Sequence, residues 1–409
     1  MASLWFAEMK IALLHYTTRP EFGGVENVVR DQANMLQRAG HQVKVLTGLG
    51  LDLGEEYEFV LMPELSPDFA LFKSVNSVLT RGQSDQSFSQ YRSVLVEALK
   101  VALEGVDVTL VHNVFTMHLN LALTRALHDL APTHKMVAWT HDLTATNSDY
   151  ALPNPKQPPW NLVRMSHPNV TYVATSELRA AEIKAHLKPP VTAQVIPNMV
   201  DPARLFNLTA EMRESLVSLV IPWRDFVFLL PAPLMVRKNI DFAIEAMKNL
   251  VAAGRNPLLL ITAPKVVGSP AAEHYGAFLR QSLPPELENN VAFVSDFIDI
   301  DDDIMRDLYV LSDCLLFPSR QEGFGLPVIE AALHRMPIWC QGIPAYHALE
   351  GQCSFLLDDL AKLPEAVAWL ENQVAFRQQR RCRRLFDPAV IYTKYYEALL
   401  TSLVPNATL

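Results

Sequence analysis

The stretch Ser319-Arg-Gln-Glu-Gly-Phe-Gly-Leu-Pro-Val-Ile-Glu-Ala-Ala332 follows the apolar run Cys314-Leu-Leu-Phe317. The apolar run predicts a buried strand, and Pro327 beside the turn residues Gly323 and Gly325 predicts that a helix begins there. A strand, a tight turn and a helix form one repeat of a parallel sheet covered by helices. The free amides at the start of such a helix can bind a phosphate.

The same alternation of strands and helices runs through the rest of the chain. In the first half, strands are predicted at residues 10–16, 41–47, 108–112, 135–140 and 171–174, and helices at 25–39, 117–130 and 176–187. The pattern restarts near Val195, with strands at 226–230, 258–261, 291–294 and 314–317. We therefore predict an α/β protein of two doubly wound, Rossmann-like domains that face each other across a cleft. Residues 48–92 and 147–159 lack a sustained period and are predicted to be irregular loops.

Composition excludes several classes of function. The formal net charge of -9 disfavours a nucleic-acid-binding protein, which would need a basic surface. No apolar segment predicts a signal peptide or a membrane span. The four cysteines lack C-x-x-C spacing, and we expect buried or incidental thiols in a cytoplasmic protein.

Two carboxylates flank the glycine-rich turn. Glu322 lies in the turn, after a strand, where a carboxylate has no task in stabilising a helix. Glu330 is predicted to lie in the first turn of the helix, so its alternative role is to stabilise the helix dipole. Carboxylates accept hydrogen bonds from vicinal hydroxyls, so one glutamate could hold a sugar ring and the other a ribose.

The segment Glu322-Gly-Phe-Gly-Leu-Pro-Val-Ile-Glu330 resembles the hallmark of the retaining glycosyltransferases of family 4, a pair of glutamates separated by seven residues. The other segments that resemble this family are Phe22-Gly-Gly-Val-Glu26, Trp139-Thr-His-Asp142, Val195-Ile-Pro-Asn198 with Asp201, and Val236-Arg-Lys-Asn239. The resemblance implies the two-domain GT-B fold. It implies an acceptor-side domain over residues 1–195, a nucleotide-sugar domain over 196–387, and a C-terminal helix over 388–409 that crosses back to the first domain.

The resemblance also implies a set of site residues. The implied donor-binding residues are Gly23, Gly24, Arg237, Lys238, Glu322, Gly323, Phe324, Gly325, Leu326 and Glu330. The implied catalytic residues are Glu322, His141, Lys238 and Arg237, and Asp142 is the candidate acceptor-binding residue. Arg237 and Lys238 are cations at a predicted helix start, where the helix dipole disfavours positive charge. This position therefore favours a role in binding a diphosphate over that of a solvated basic pair. His141 and Asp142 could instead cap a turn.

No metal and no cofactor is predicted beyond the nucleotide sugar itself. The segment Asp299-Ile-Asp-Asp-Asp303 contains a D-x-D pattern, but it precedes a helical segment and is interpreted as its N-terminal cap. A run of five arginines between Arg377 and Arg384 could touch an anionic membrane. It lacks an apolar face, so we interpret it as a solvated helix.

The predicted function is metal-independent transfer of a hexose, with retention, from a UDP-glucose-type or GDP-mannose-type donor to an acceptor hydroxyl of unidentified chemistry. One alternative is transfer to a sugar phosphate, as in sucrose-phosphate synthase. The second alternative is a retaining glycosidase, which also uses two carboxylates. A non-catalytic sugar or nucleotide binder is the third alternative, because this chain has Ala232, Pro233 and Leu234 where relatives carry an arginine.

Overall fold

The structure is a computed structural model that describes residues 8–403 apart from 19–22, 55, 265, 267 and 344–353. It divides into two compact units. Unit 1 comprises Met1–Val200 with Phe386–Leu409, and unit 2 comprises Asp201–Leu385. Each unit contains a parallel sheet interleaved with helices, so the predicted α/β class with two doubly wound domains is confirmed.

Unit 1 is built on a seven-stranded parallel sheet. Up to residue 200 its elements are β1 Lys10–Thr17, α1 Gly24–Arg38, β2 Gln42–Leu49, β3 Glu58–Leu61, α2 Ala70–Thr80, α3 Gln86–Ala102, β4 Val108–His112, α4 Leu121–Leu130, β5 Met136–Thr140, β6 Val170–Ala174, α5 Glu177–His186 and β7 Gln194–Val195. The strand order is β3-β2-β1-β4-β5-β6-β7. The order therefore reverses between β1 and β4, and such a switch point opens a crevice at the carboxyl ends of the strands.

The segment 48–92 is more regular than its sequence predicts. It contains β3, α2 and the first residues of α3, so the prediction of an irregular loop is wrong there. The reason is shallow burial: α2 buries only Val75 and Leu79, and β3 is a four-residue edge strand without a buried residue. Neither element produces a long apolar period. Residues 147–159 contain turns and no helix or strand, as predicted.

Unit 2 repeats the architecture with six parallel strands. Its elements are α6 Pro202–Leu205, α7 Ala210–Leu219, β8 Phe226–Leu230, α8 Ile240–Ala252, β9 Pro257–Ile261, α9 Pro270–Gln281, β10 Val291–Phe293, α10 Asp302–Leu311, β11 Cys314–Phe317, α11 Leu326–Leu333, β12 Ile338–Cys340, β13 Phe355–Leu356, α12 Leu363–Asn372 and α13 Val374–Phe386. The strand order β10-β9-β8-β11-β12-β13 places the switch point between β8 and β11. Asp301 caps α10 by accepting a hydrogen bond from the Ile304 amide at 2.8 Å.

The C-terminal segment belongs to unit 1. It forms α14 Pro388–Ile391, a π-helical turn Tyr392–Tyr396 and α15 Glu397–Leu403. Tyr396 is fully buried: its ring stacks on Trp139 with centroids 5.3 Å apart, and its hydroxyl accepts a hydrogen bond from Gln32. Ile391 and Leu400 lie in the same apolar cluster as residues of β1 and β5, so the segment 388–403 completes the core of unit 1.

The arginine-rich helix α13 is anchored to unit 2, and the prediction of a solvated helix is wrong for Arg380 and Arg383, whereas Arg384 is exposed although it is paired. Arg383 is 7 % exposed and makes two contacts of 3.1 Å with the fully buried carboxylate of Asp313. Arg380 and Arg384 each contact Asp225 Oδ1 at 2.5 Å. Their partners lie roughly 70 to 160 positions away in sequence, so the local pattern gave no sign of them.

The cysteines do not all fit the expectation of thiols. Cys314 is a buried thiol and Cys382 an exposed one. Cys340, at the end of β12, is disulfide-bonded, which contradicts the prediction at this position. Cys353 lies outside the described residues. The spacing of cysteines in the sequence does not identify which of them is disulfide-bonded. Within the part of the chain that the structure describes, no helix is long and apolar enough to cross a membrane.

The Arg383–Asp313 pair generates a stability prediction. Replacing Arg383 with Met leaves the Asp313 carboxylate buried without its countercharge, so the variant should lose about 3–5 kcal/mol of unfolding free energy. Urea denaturation measures the loss. The control is Arg381→Met on the exposed side of the same helix, which should change stability by less than about 0.5 kcal/mol. Equal effects of the two substitutions would contradict the anchoring role.

Candidate functional site

In unit 2, the candidate site lies where the strand order reverses. Residues 231–239 follow β8 and residues 318–325 follow β11, and the two strands are neighbours in the sheet. Gly325 caps α11 with φ at 92°, a left-handed conformation that favours glycine. Asn239 adopts a similar conformation, with φ at 54°, immediately before α8. Each loop therefore turns sharply from a buried strand into a helix.

A three-residue ionic cluster joins these loops. Lys238 Nζ lies 2.5 Å from Glu322 Oε1, and Arg237 Nη1 lies 3.4 Å from Glu322 Oε2. The side chains of Lys238 and Glu322 are each 9 % exposed, whereas that of Arg237 is 41 % exposed. Lys238 Nζ also lies 5.1 Å from the centre of the Phe317 ring, a favourable cation–π position. The Lys238–Glu322 ion pair is thus largely withdrawn from water.

Backbone contacts fix the two loops against each other. The amide of Arg320 donates to the carbonyl of Arg237 at 2.8 Å, and Arg237 Nη1 donates to the carbonyl of Gln321 at 3.1 Å. Asn239 Nδ2 donates to the carbonyl of Pro318 at 3.1 Å. These bonds place two cations and one carboxylate together, so the cluster carries an excess of one positive charge and suits an anionic ligand.

The other implied residues of this loop follow the turn into α11. Phe324 and Leu326 are 51 % and 60 % exposed, and the space beside Gly323 where a Cβ would lie is open. Glu330 is the fifth residue of α11, which starts at Leu326. The prediction that Glu330 lies in the first turn is therefore wrong. Its Oε2 accepts a hydrogen bond of 2.7 Å from the Tyr309 hydroxyl.

In unit 1, the turn at Gly23 and Gly24 packs against a carboxylate. A Cβ on Gly23 would lie 1.9 Å from Glu26 Oε2, so a larger residue would force the Glu26 side chain to shift, whereas nothing lies within 4 Å beside Gly24. Glu26 Oε1 accepts a hydrogen bond of 2.7 Å from the Thr17 hydroxyl and lies 3.6 Å from His15 Nε2. The interaction with His15, supported by Thr17, lowers the pKa of Glu26 from 4.5 to about 2. Glu26 is therefore ionised at the start of α1, where the helix dipole favours an anion.

His141 lies at the carboxyl end of β5 in a row of histidines. Its Nε2 is 3.0 Å from His112 Nδ1, and the carbonyl of His112 is 3.2 Å from His15 Nδ1. Burial, together with the charge of His15, lowers the pKa of His141 to about 3. Burial likewise lowers the pKa of His112 well below its usual range. Both rings are therefore neutral near pH 7, and His141 can exchange hydrogen bonds with a hydroxyl without carrying charge.

Asp142 is held by protein partners. Its Oδ1 accepts a hydrogen bond of 3.0 Å from Arg179, and its amide donates to Asn113 Oδ1 at 3.1 Å. The His141 amide donates to the same oxygen at 2.8 Å. Asn113, with φ at 64° after β4, thus fixes the turn that carries both implied residues.

Several site residues were missed by the sequence interpretation. His15 and His112 are polar residues at or near the carboxyl ends of predicted strands, a position that could have marked them. Asn113 follows directly, but its left-handed conformation is visible only in the structure. Tyr309 lies in an ordinary helical pattern that gives no such signal. Across the described ranges, no group of three or more His, Cys, Asp and Glu side chains could hold a metal ion.

Two family models match consecutive parts of the chain. "Glycosyltransferase Family 4" matches residues 22–204, and "Glycosyl transferases group 1" matches residues 225–373. Together the two matches cover most of both units. The chain belongs to glycosyltransferase family 4.

Curated relatives of this family 4 chain include mannosyltransferases. The serotype-specific mannosyltransferase WbdA of Escherichia coli is 32 % identical over 191 residues, which is 43 % of this chain and 22 % of the relative. The chain thus matches about a fifth of the length of that relative. Mannosylglucosylglycerate synthase of Petrotoga mobilis is 23 % identical over 313 residues, covering 69 % of this chain and 71 % of the relative.

Among solved structures, sucrose-phosphate synthase from Thermosynechococcus elongatus matches 97 % of this chain and 100 % of its own, at 16 % identity and a TM-score of 0.39. WaaG, a glycosyltransferase involved in lipopolysaccharide biosynthesis, matches 97 % of this chain and 98 % of its own, at 16 % identity and a TM-score of 0.33.

The Glu26 contacts predict a pH-dependent contribution to stability. Because folding lowers the pKa of Glu26, the stabilisation is complete above the ordinary carboxyl pKa and is lost as the pH falls from 4.5 towards 2. Glu26→Gln should cost on the order of 1–2 kcal/mol near pH 7. The difference from the parent protein should shrink below pH 4.5, as measured by urea unfolding across pH.

The matched control is Glu97→Gln, since Glu97 is 72 % exposed and pairs with Lys100 on the surface of α3. Its effect should be small at every pH. A Glu26→Gln difference that stays constant from pH 7 to pH 3 would show that the carboxylate charge contributes nothing.

Proposed function

We propose that this chain is a retaining hexosyltransferase that moves a sugar from a nucleoside diphosphate to an acceptor hydroxyl without a metal ion. The observation that carries the proposal is the cluster of Arg237, Lys238 and Glu322 at the switch point of unit 2. It combines two cations for a diphosphate with a carboxylate for sugar hydroxyls. Family membership supports this interpretation.

In the proposed complex, Lys238 and Arg237 bind the diphosphate, together with the amides at the start of α11. The space beside Gly323 is open, so a phosphate can approach the backbone closely just before α11 begins. Glu322 accepts hydrogen bonds from the transferred sugar, and Glu330 accepts them from the ribose. Positive charge fixed in the protein takes the role that a divalent cation plays in other transferases.

The proposed reaction keeps the anomeric configuration by a same-face displacement. The bond between the sugar C1 and the diphosphate oxygen breaks while a bond from C1 to the acceptor oxygen forms. The acceptor proton passes to the departing phosphate oxygen, so no enzymic nucleophile is needed. Arg237 and Lys238 stabilise the charge that develops on the leaving group.

Unit 1 is proposed to bind the acceptor. His141 is a neutral hydrogen-bonding group at the carboxyl end of β5, and Gly23 and Gly24 stay proposed contacts of the donor. Asp142 is proposed to contribute to acceptor binding through the turn that it shares with His141. Mannose is the first sugar to test, because the WbdA relatives are named as mannosyltransferases. A panel with GDP-mannose and UDP-glucose as donors, and with neutral and phosphorylated sugars as acceptors, distinguishes this chemistry from that of a sugar-phosphate synthase.

Nucleotide binding tests the cationic cluster. Calorimetry should show UDP or GDP binding that is undiminished in EDTA, and Lys238→Ala should weaken it roughly 10- to 100-fold because charge-assisted hydrogen bonds are lost. The control is Lys248→Ala on the exposed face of α8, where Lys248 pairs with Glu245. A strict requirement for manganese or magnesium would contradict the proposal.

Two other outcomes would favour the alternative functions. Sugar release without any nucleotide would favour a glycosidase. Tight binding of a nucleotide without turnover of any donor would favour a non-catalytic binder.

Glu322→Gln should affect turnover of the nucleotide sugar without weakening binding of the diphosphate. In the free chain, the Glu322 carboxylate neutralises Lys238 at 2.5 Å, so removing its charge should leave pyrophosphate and nucleoside diphosphate affinity unchanged or higher. Turnover of the nucleotide sugar should fall at least about 100-fold, since the sugar loses a charge-assisted partner. The control Glu245→Gln removes an exposed carboxylate from a lysine pair on α8. A loss of pyrophosphate affinity equal to the loss of turnover would refute the division of roles.

A further inference from the structure

We propose that Tyr309 is the residue that orients Glu330 for recognition of the ribose hydroxyls. The inference rests on the proposed function, in which Glu330 binds the ribose. It adds a positioning residue on a different helix, α10, which the family motif does not contain. Tyr309 makes two contacts that bear on this role, one with Glu330 and one with His334, and a third contact joins His334 to Glu330.

The first contact is the hydrogen bond from the Tyr309 hydroxyl to Glu330 Oε2, at 2.7 Å. Tyr309 is only 4 % exposed and belongs to the apolar core of unit 2, so its ring cannot move freely. Glu330 is only partly buried. Within the described part of the chain, its second oxygen, Oε1, has no hydrogen-bond partner. One carboxylate oxygen is therefore fixed, and the other remains available to a ligand.

The other two contacts are made by His334, an exposed residue that follows α11. The His334 ring stacks on the Tyr309 ring, with centroids 4.8 Å apart and planes inclined by 14°. His334 Nδ1 lies 2.8 Å from the carbonyl of Glu330 and donates to it. The Tyr309 ring is therefore covered by a residue that is itself bonded to the backbone of Glu330.

The arrangement gives the hydroxyl a single role. Burial and the neighbouring Glu330 carboxylate raise the pKa of Tyr309, so its hydroxyl stays protonated and donates throughout the physiological range. A glutamate has three flexible side-chain torsions, and a ligand that orders them loses affinity. A donor that already fixes one oxygen removes part of that cost. Tyr309 should thus increase the affinity for ribose hydroxyls while leaving the phosphate contacts unchanged.

The test compares two ligands that differ only in the ribose. The dissociation constants of the nucleoside diphosphate that binds better, UDP or GDP, and of its 2′,3′-dideoxy form are measured by calorimetry for the parent protein and for Tyr309→Phe. The parent should prefer the ribose form by roughly 10- to 100-fold. Tyr309→Phe should reduce that preference by about 3- to 10-fold and leave the affinity for the dideoxy form unchanged.

Two further variants sharpen the comparison. Tyr91→Phe removes a buried hydroxyl that donates to the Glu64 carbonyl in unit 1, and it should leave the ribose preference unchanged. In a Glu330→Gln background, Tyr309→Phe should cause no further loss of preference, because the two residues act through one contact.

Three outcomes would overturn the inference. Equal weakening of both ligands by Tyr309→Phe would indicate a purely structural role, and an unchanged preference would show that the hydroxyl orients nothing. A parent protein without any ribose preference would remove the role of Glu330 on which the inference rests. Lys238-dependent binding of the diphosphate would still stand in all three cases, so failure of this inference is distinct from failure of the proposed function.

Discussion

The ion pair between Lys238 and Glu322 ties together the carboxyl ends of two neighbouring strands in unit 2. Removing two charges from water is costly, and a pair that is 9 % exposed on both sides requires close geometry to offset that cost. The second cation, Arg237, and the ring of Phe317 complete its surroundings. The pair forms only because the strand order places β8 beside β11, since the two partners are 84 positions apart in sequence.

The charge of this cluster distinguishes the site in unit 2 from that in unit 1. At the switch point of unit 2, two cations surround one carboxylate. Around the corresponding edge of unit 1, the structure places the ionised Glu26 and the neutral rings of His112 and His141. The first arrangement suits a phosphate-bearing ligand, and the second suits hydroxyl groups. This contrast agrees with the proposed assignment of donor to unit 2 and acceptor to unit 1.

Much of the fold could be predicted because its strands are buried on both faces. β8 and β11 have the bounds that their apolar runs predict, 226–230 and 314–317. The prediction fails where burial is shallow, as in α2 and β3, or where the deciding contact is distant in sequence. The Arg383–Asp313 pair spans 70 positions, and nothing in the local composition of α13 distinguishes Arg383 from its exposed neighbour Arg381.

The candidate site, like the fold, could be predicted only in part from the sequence. The glutamate motif and the Arg-Lys pair identify Glu322 and Lys238 as residues that act on one ligand, but they do not reveal that the two side chains bind each other. Tyr309 is invisible to motif analysis, because its hydroxyl meets Glu330 only when α10 and α11 pack together. Residue type and spacing therefore indicate which chemistry is present, whereas the packing of elements determines which residues position it.

Hydrogen exchange with and without a nucleoside diphosphate tests the central claim most directly, because it locates the ligand on the chain. In EDTA, UDP or GDP should slow exchange in peptides that cover residues 231–239 and 318–330, the two loops at the switch point of unit 2 and the start of α11. Protection confined to unit 1, or no protection of these two loops at a saturating concentration of the ligand that binds, would contradict the account.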